Sequence, residues 1–148
     1  MDPRRDATQH TKAALSAVLQ GSGLDWLDQQ DFDDASRGFI AKLDTPTVTK
    51  EDGTPIWDLT AYAFLEREDA PETVNPSLWR QARLNMLHGL FKVTDRVYQV
   101  RGMDLSVISF IEGDTGWIVI DPLISAEVAA PSLELVNEHV ARRPVVAV

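Results

Sequence analysis

Residues 96–121, RVYQVRGMDLSVISFIEGDTGWIVID, constrain the fold more than any other part of the chain, because three strand-type runs and two turn signals fall there in succession. Val97, Gln99 and Arg101 alternate with Tyr98 and Val100. Residues 105–112 are mostly apolar with β-branched Val107, Ile108 and Ile111, and residues 117–120 form a third such run. β-Branched and aromatic side chains fit a pleated, packed surface, so each run predicts a strand. Gly102 interrupts the first pair of runs and residues 112–116, EGDTG, the second, over lengths suited to hairpin loops. The expectation is a three-stranded antiparallel meander. Its third strand is apolar on both faces, the pattern of a strand in the middle of a layered sandwich. Pro122 has no donor and stops that strand. Asp121 is thereby left at the carboxyl end of a buried strand, where open α/β sheets build their sites. Taken alone, the position also suits a plain acceptor for a turn hydrogen bond.

Composition narrows the class. With 44% hydrophobic and 25% charged residues over 148 positions, the chain is globular and long enough for one ordinary domain. A net charge of −9 argues against a nucleic-acid or anionic-membrane partner. The absence of cysteine excludes disulfides, thiolate metal ligands and a cysteine nucleophile. No signal peptide is read at the start: Asp2 and Asp6 accompany the basic pair, Ser16 and Gln20 break the apolar part, and Arg4 and Arg5 lack a following apolar core. No run approaches the eighteen or so apolar residues of a membrane span. The compartment stays open.

Before the meander, the spacing of Ala13, Ala14, Ala17 and Val18 predicts a short amphipathic helix over 8–20, stopped by Gly21, Ser22 and Gly23. Residues 24–60 carry Trp26, Phe32, Phe39, Ile40, Leu43 and Trp57 without a sustained period, an irregular wrap in which aromatic residues act as anchors. Residues 50–53 read as a turn. Residues 56–64 read either as a short strand or as a turn into a short helix, and 66–72 as a solvated acidic loop. Asn75 caps the clearest helix, with Pro76 at its first position. Trp79, Ala82, Arg83, Met86, Leu87 and Leu90 recur at helical spacing, Gly89 supplies the exit, and His88 falls in the last turn with no partner at ligand spacing. Phe91, Lys92 and Val93 lead into the meander.

After the meander, Ser125 caps a helix to about residue 143 that Pro131 either kinks or begins, with Arg142 and Arg143 in its last turn. The final PVVAV, residues 144–148, reads as a buried parallel strand completing a βαβ unit. No turn signal follows Val148, so the expectation is a chain cut within a sheet.

The segment NPSLWRQARLNMLHGLFKVTDRVYQVRGMDLSVISFIEGDTGWIVIDPLIS, flanked by DFDDASRGFIAKL and RRPVVAV, resembles the amino-terminal portion of the linear primary and secondary alkyl sulfatases of the metallo-β-lactamase superfamily. The likeness covers roughly residues 24–148 and is most specific over 77–122. It implies an α/β (α+β) fold: the first part of an αββα sandwich, truncated within the sheet, with a helical and irregular lead-in over 1–90 and the incomplete sandwich domain over 91–148. It further implies a zinc-dependent sulfuric ester hydrolase that binds two zinc ions, acts on long-chain alkyl sulfates and forms homodimers, some members being exported to the periplasm. Asp121 matches the superfamily's first acidic motif, which implies a supporting role to the metal-binding loop. The following His-x-His-x-Asp-His motif is absent, and His10, His88 and His139 match no part of it. The resemblance therefore implies no catalytic residue and no metal ligand in this chain, which alone is expected to be inactive and to retain no zinc.

One loop, Arg101 to Leu105, has a claim on the substrate pocket. In the superfamily the loop joining the first two strands overhangs the metal site, which makes Gly102, Met103, Asp104 and Leu105 a candidate lip. Met103 suits alkyl contact, or else tops the core. Two other readings compete: a lactonase- or thioesterase-type hydrolase of the same fold, against which the long lead-in argues, and a self-contained acidic interaction domain without metal.

Overall fold

The computed structural model describes residues 6–67 and 69–148. The reading of Arg4 and Arg5 lies outside them. A six-stranded sheet dominates, in the order β1 (Phe39–Ala41), β4 (Gly89–Thr94), β5 (Val97–Arg101), β6 (Ile108–Glu112), β7 (Trp117–Ile120), β8 (Val145–Ala147). Every neighbouring pair is antiparallel except β7 and β8. A separate hairpin joins β2 (Thr47–Thr49) to β3 (Pro55–Asp58). The helices are α1 (Gln9–Gly21), α2 (Gln30–Ser36), α3 (Pro76–Asn85) and α4 (Ala126–His139), with a 3-10 turn over Thr60–Glu66.

Pleating sorts the side chains. Leu90 faces Val100 and Ile108 across the strands, and Phe110 faces Tyr98 and Val119. These residues and Trp117 form one core with Val48 of the small hairpin and with Val128, Leu135 and Val136 of α4. Each side chain so buried contributes about 1.5–3 kcal/mol, making this layer the main stabilising contact of the chain. The opposite face carries Gln99, Ser109 and Ile120 in one row and Val97, Ile111 and Ile118 in another. There Ile118 is 37% and Ile120 53% exposed, whereas Trp117 is 0% exposed. β7 lies inside the sheet, as its composition predicts, but α4 and the small hairpin cover only one of its two apolar faces.

Two elements differ from the sequence reading. The helix starting at Pro76 stops at Asn85, and residues 89–94 form β4, so the meander has four strands, not three. Leu90 satisfies helical spacing by coincidence. Its actual role is that of an inward strand residue, in a strand whose backbone is paired on both sides by β1 and β5. A division between residues 90 and 91 thus cuts through β4, and the lead-in contributes β1 to the same sheet. His88 lies past the helix, its Nδ1 2.8 Å from the carbonyl of Met86. Likewise α4 ends at His139 with Pro131 inside it, and the two arginines follow the helix instead of closing it. Arg142 pairs with Glu134, and Arg143 lies 2.6 Å from Glu112 in the β6–β7 hairpin.

Other expectations match. α1 is capped by Thr8 and α3 by Asn75, whose side-chain Oδ1 accepts from the Ser77 amide at 2.9 Å. The amide of Gly53 closes the predicted turn on the Lys50 carbonyl at 3.0 Å. Residues 56–64 contain both alternatives, strand β3 and then the 3-10 turn. Trp57 acts as an anchor, its indole N–H donating to the Gly102 carbonyl at 2.7 Å, and Trp79 of α3 likewise donates to the Arg67 carbonyl at 3.3 Å. β8 pairs parallel to β7, completing the βαβ unit.

Candidate functional site

β5 and β7 are both antiparallel to β6, and β8 runs parallel to β7, so all three end at one edge of the sheet. Two loops leave that edge, residues 102–107 after β5 and residues 121–125 after β7. Asp104 fastens them together. It is only 7% exposed. Its Oδ1 accepts the Ser106 amide at 2.5 Å and the Ser106 hydroxyl at 3.1 Å, while its Oδ2 accepts the Ile124 amide at 2.8 Å, twenty residues away. An ionised carboxylate makes such bonds shorter and stronger than neutral ones.

The loop held by this clasp has unusual backbone geometry. Asp121 has φ 52° and Leu123 φ 68°, both left-handed. Aspartate tolerates that region, but a leucine there stores strain of order 1–3 kcal/mol, of the kind that persists only where surrounding contacts impose it. The Asp104–Ile124 bond is one such contact, and Pro122 between the two residues fixes the chain further. Asp121 itself is exposed at the strand end, and its carboxylate takes no hydrogen bond from the described residues. The plain turn-acceptor role therefore has no donor here.

The candidate lip divides by side-chain direction. Gly102, Asp104 and Leu105 line a cavity of about 540 Å³, together with Trp57, Leu65 and Leu87. Leu105 stands at its rim, 88% exposed, but Met103 is 2% exposed and belongs to the core. Met103 thus tops the core, and of the two apolar side chains Leu105 is the one that lines the cavity. Gly102 is required where it stands: at φ 77° a Cβ would lie 2.5 Å from the Cβ of His88.

Arg101 is the one basic residue lining the cavity. Burial holds its guanidinium below the ordinary arginine range. Its charge, and the clasp made by Asp104, escape a search for histidine-rich motifs. The Asp104-x-Ser106 pattern, a local aspartate turn, was the available signal.

The described residues do not by themselves fit a zinc site. Among them no three histidine, aspartate or glutamate side chains are grouped to hold a metal ion. His139 lies 4.0 Å from Glu138, a pair and not a group of three. Nor is any described helix long and apolar enough to cross a membrane.

No family model matches the chain. Among curated proteins it is 49% identical over 134 residues to the alkyl/aryl-sulfatase BDS1 of Saccharomyces cerevisiae. It is 48% identical over 145 residues to a linear primary-alkylsulfatase of Pseudomonas sp. and 42% identical over 144 residues to an (R)-specific secondary-alkylsulfatase of Pseudomonas sp.. These alignments cover 90–97% of the chain but 21% of each relative, so the chain spans about a fifth of their length. Among solved structures, the stereoselective inverting sec-alkylsulfatase Pisa1 from Pseudomonas sp. superposes with a TM-score of 0.86 at 42% identity, over 96% of this chain and 22% of that one.

Proposed function

We propose, from the premise that the chain belongs to the alkylsulfatases over nearly its whole length, that it is the amino-terminal segment of an enzyme hydrolysing long-chain alkyl sulfate esters to alcohol and sulfate. The observation that carries the reading is the shared backbone, a TM-score of 0.86 at 42% identity with a sec-alkylsulfatase. No relative reported above is a lactonase or a thioesterase, and no feature of the fold favours a free-standing interaction domain.

In this proposal the whole enzyme is a homodimer with a metallo-β-lactamase αββα sandwich, and its two zinc ions are held by residues other than those described. The present residues supply the scaffold of one sheet edge. Asp104 locks the loop after β5 to the loop after β7, and that second loop presents the unengaged carboxylate of Asp121 at the edge. A carboxylate so placed orients a metal-binding loop by hydrogen bonding, without touching substrate.

Asp121→Ala in the intact enzyme is expected to lower zinc content or turnover of dodecyl sulfate by about 10- to 100-fold, with little change in thermal midpoint. Metal analysis and a sulfate-release assay on parent and variant decide it. Equal zinc and equal turnover would return Asp121 to a turn role, and a parent unable to release sulfate from any alkyl ester would end the sulfatase reading.

Leu105→Ala tests the lip. An apolar wall contributes about 0.8 kcal/mol per methylene it buries. The variant is expected to lose kcat/KM on dodecyl sulfate while hydrolysing a short-chain ester almost as the parent does. Parallel losses on both esters would count against chain contact.

A further inference from the structure

Arg101 stands apart from the other paired arginines. Arg37, Arg80, Arg96, Arg142 and Arg143 each face a carboxylate. The contacts of Arg101 are of another kind: Nε donates to the Gln99 side-chain carbonyl at 3.2 Å, and the guanidinium carbon lies 4.5 Å from the centre of the Phe91 ring. Phe91 is 1% exposed and is braced edge-on by Phe39, with ring centres 5.5 Å apart. The planar cation is thus seated on a fixed aromatic platform, and among the described residues no acidic group neutralises it. Partial burial holds its pKa below the ordinary arginine range.

Among the described residues, the one acidic residue lining the same cavity is already committed. Asp104 spends Oδ1 on Ser106 and Oδ2 on Ile124. Arg101, with no described carboxylate against it, therefore lines a cavity whose other walls are mostly apolar, in a chain whose net charge is −9. At about 540 Å³ the cavity falls within the usual range of small-molecule sites.

We propose that Arg101 and this cavity bind an anionic amphiphile, its sulfate head accepting hydrogen bonds from the guanidinium and its first methylenes lying against Trp57, Leu59, Leu65, Leu87 and Val107. This rests on the sulfatase reading for the identity of the head group. The location agrees with it, since Arg101 ends β5 at the same sheet edge where Asp121 follows β7. Arg101 acts in recognition, and no bond is made or broken by it.

The test uses the intact enzyme with dodecyl sulfate below its micelle-forming concentration, comparing parent, Arg101→Gln and Arg101→Lys. Loss of a charge-assisted pair is expected to raise KM about 10- to 100-fold in Arg101→Gln, with a much smaller change in kcat. Arg101→Lys, which keeps the charge but not the fork, is expected to fall between the two and serves if the glutamine variant folds poorly. Inhibition by 1-dodecanol, which lacks the charge, is expected to be unaltered in both variants. An unchanged KM for dodecyl sulfate, or an equal weakening of dodecanol inhibition, overturns the proposal. A parent that binds dodecyl sulfate through Arg101 in calorimetry without releasing sulfate retains the anion site and removes the sulfatase reading. A parent that neither binds nor hydrolyses it removes both.

Discussion

Trp117→Ala is expected to destabilise the sheet by about 3–5 kcal/mol, the range for emptying a large aromatic site in a packed core. Trp117 is 0% exposed and meets Tyr98 and Phe110 edge-on, at ring-centre distances of 5.9 and 6.1 Å. Its indole N–H donates to the Asn137 side-chain carbonyl at 3.0 Å, and the same oxygen accepts the Arg143 amide at 3.2 Å. One side chain thereby ties β7 to α4 and to the turn into β8. Trp117→Phe keeps most of the ring volume and gives up the hydrogen bond, at a cost of about 1 kcal/mol beyond the volume lost. Urea unfolding of the intact protein, followed by the fluorescence of the remaining tryptophans, orders the variants. An alanine variant within 1 kcal/mol of the parent would mean that the core relaxes around the site.

The same stretch shows what was legible in advance. The runs over 97–101, 108–112 and 117–120 carried their own period and their own turn signals, so the strands were readable from local chemistry alone. β8 was readable because a continuous apolar run after a helix has few places to go except a parallel ladder. The strand at Gly89–Thr94 was not, because helical spacing continued by chance from Trp79 through Leu90, and only pairing with β1, some fifty residues earlier in the chain, reveals it. Direction was the second limit. The stretch from Gly102 to Leu105 was identified as a unit, but which of Met103 and Leu105 faces the cavity depends on a loop path set by Trp57, whose indole holds the Gly102 carbonyl at 2.7 Å. Arg101 was read as an alternating residue of a strand and as the first residue of the loop with a claim on the pocket, without a role for its charge. Its meaning comes from having no carboxylate against it among the described residues, which is a property of the assembled neighbourhood and not of the local sequence.

Asp104 is the residue where fold and site meet, and two substitutions are expected to separate its roles. Asp104→Ala leaves the amides of Ser106 and Ile124 without their acceptor in a buried place, and bonds to a charged acceptor contribute about 1.5–3 kcal/mol, so a loss of about 3 kcal/mol is expected. Asp104→Asn is subtler. An amide side chain has one acceptor oxygen where the carboxylate has two, so it satisfies either Ser106 or Ile124 and turns N–H against N–H at the other. Ser106 is two residues away and presents both an amide and a hydroxyl, so the oxygen is expected to stay there and the link between loops to be the one that breaks. The asparagine variant should then retain most of the stability while the 121–125 loop, strained at Asp121 and Leu123, loses the tie that holds it. Hydrogen exchange at the Ile124 amide is the direct measurement, with faster exchange in Asp104→Asn accompanied by a fall in sulfate release from dodecyl sulfate by the intact enzyme. Unchanged exchange at Ile124 would show that Pro122 and the β7–β8 pairing hold the loop without Asp104, and that the strain at Leu123 is imposed from elsewhere.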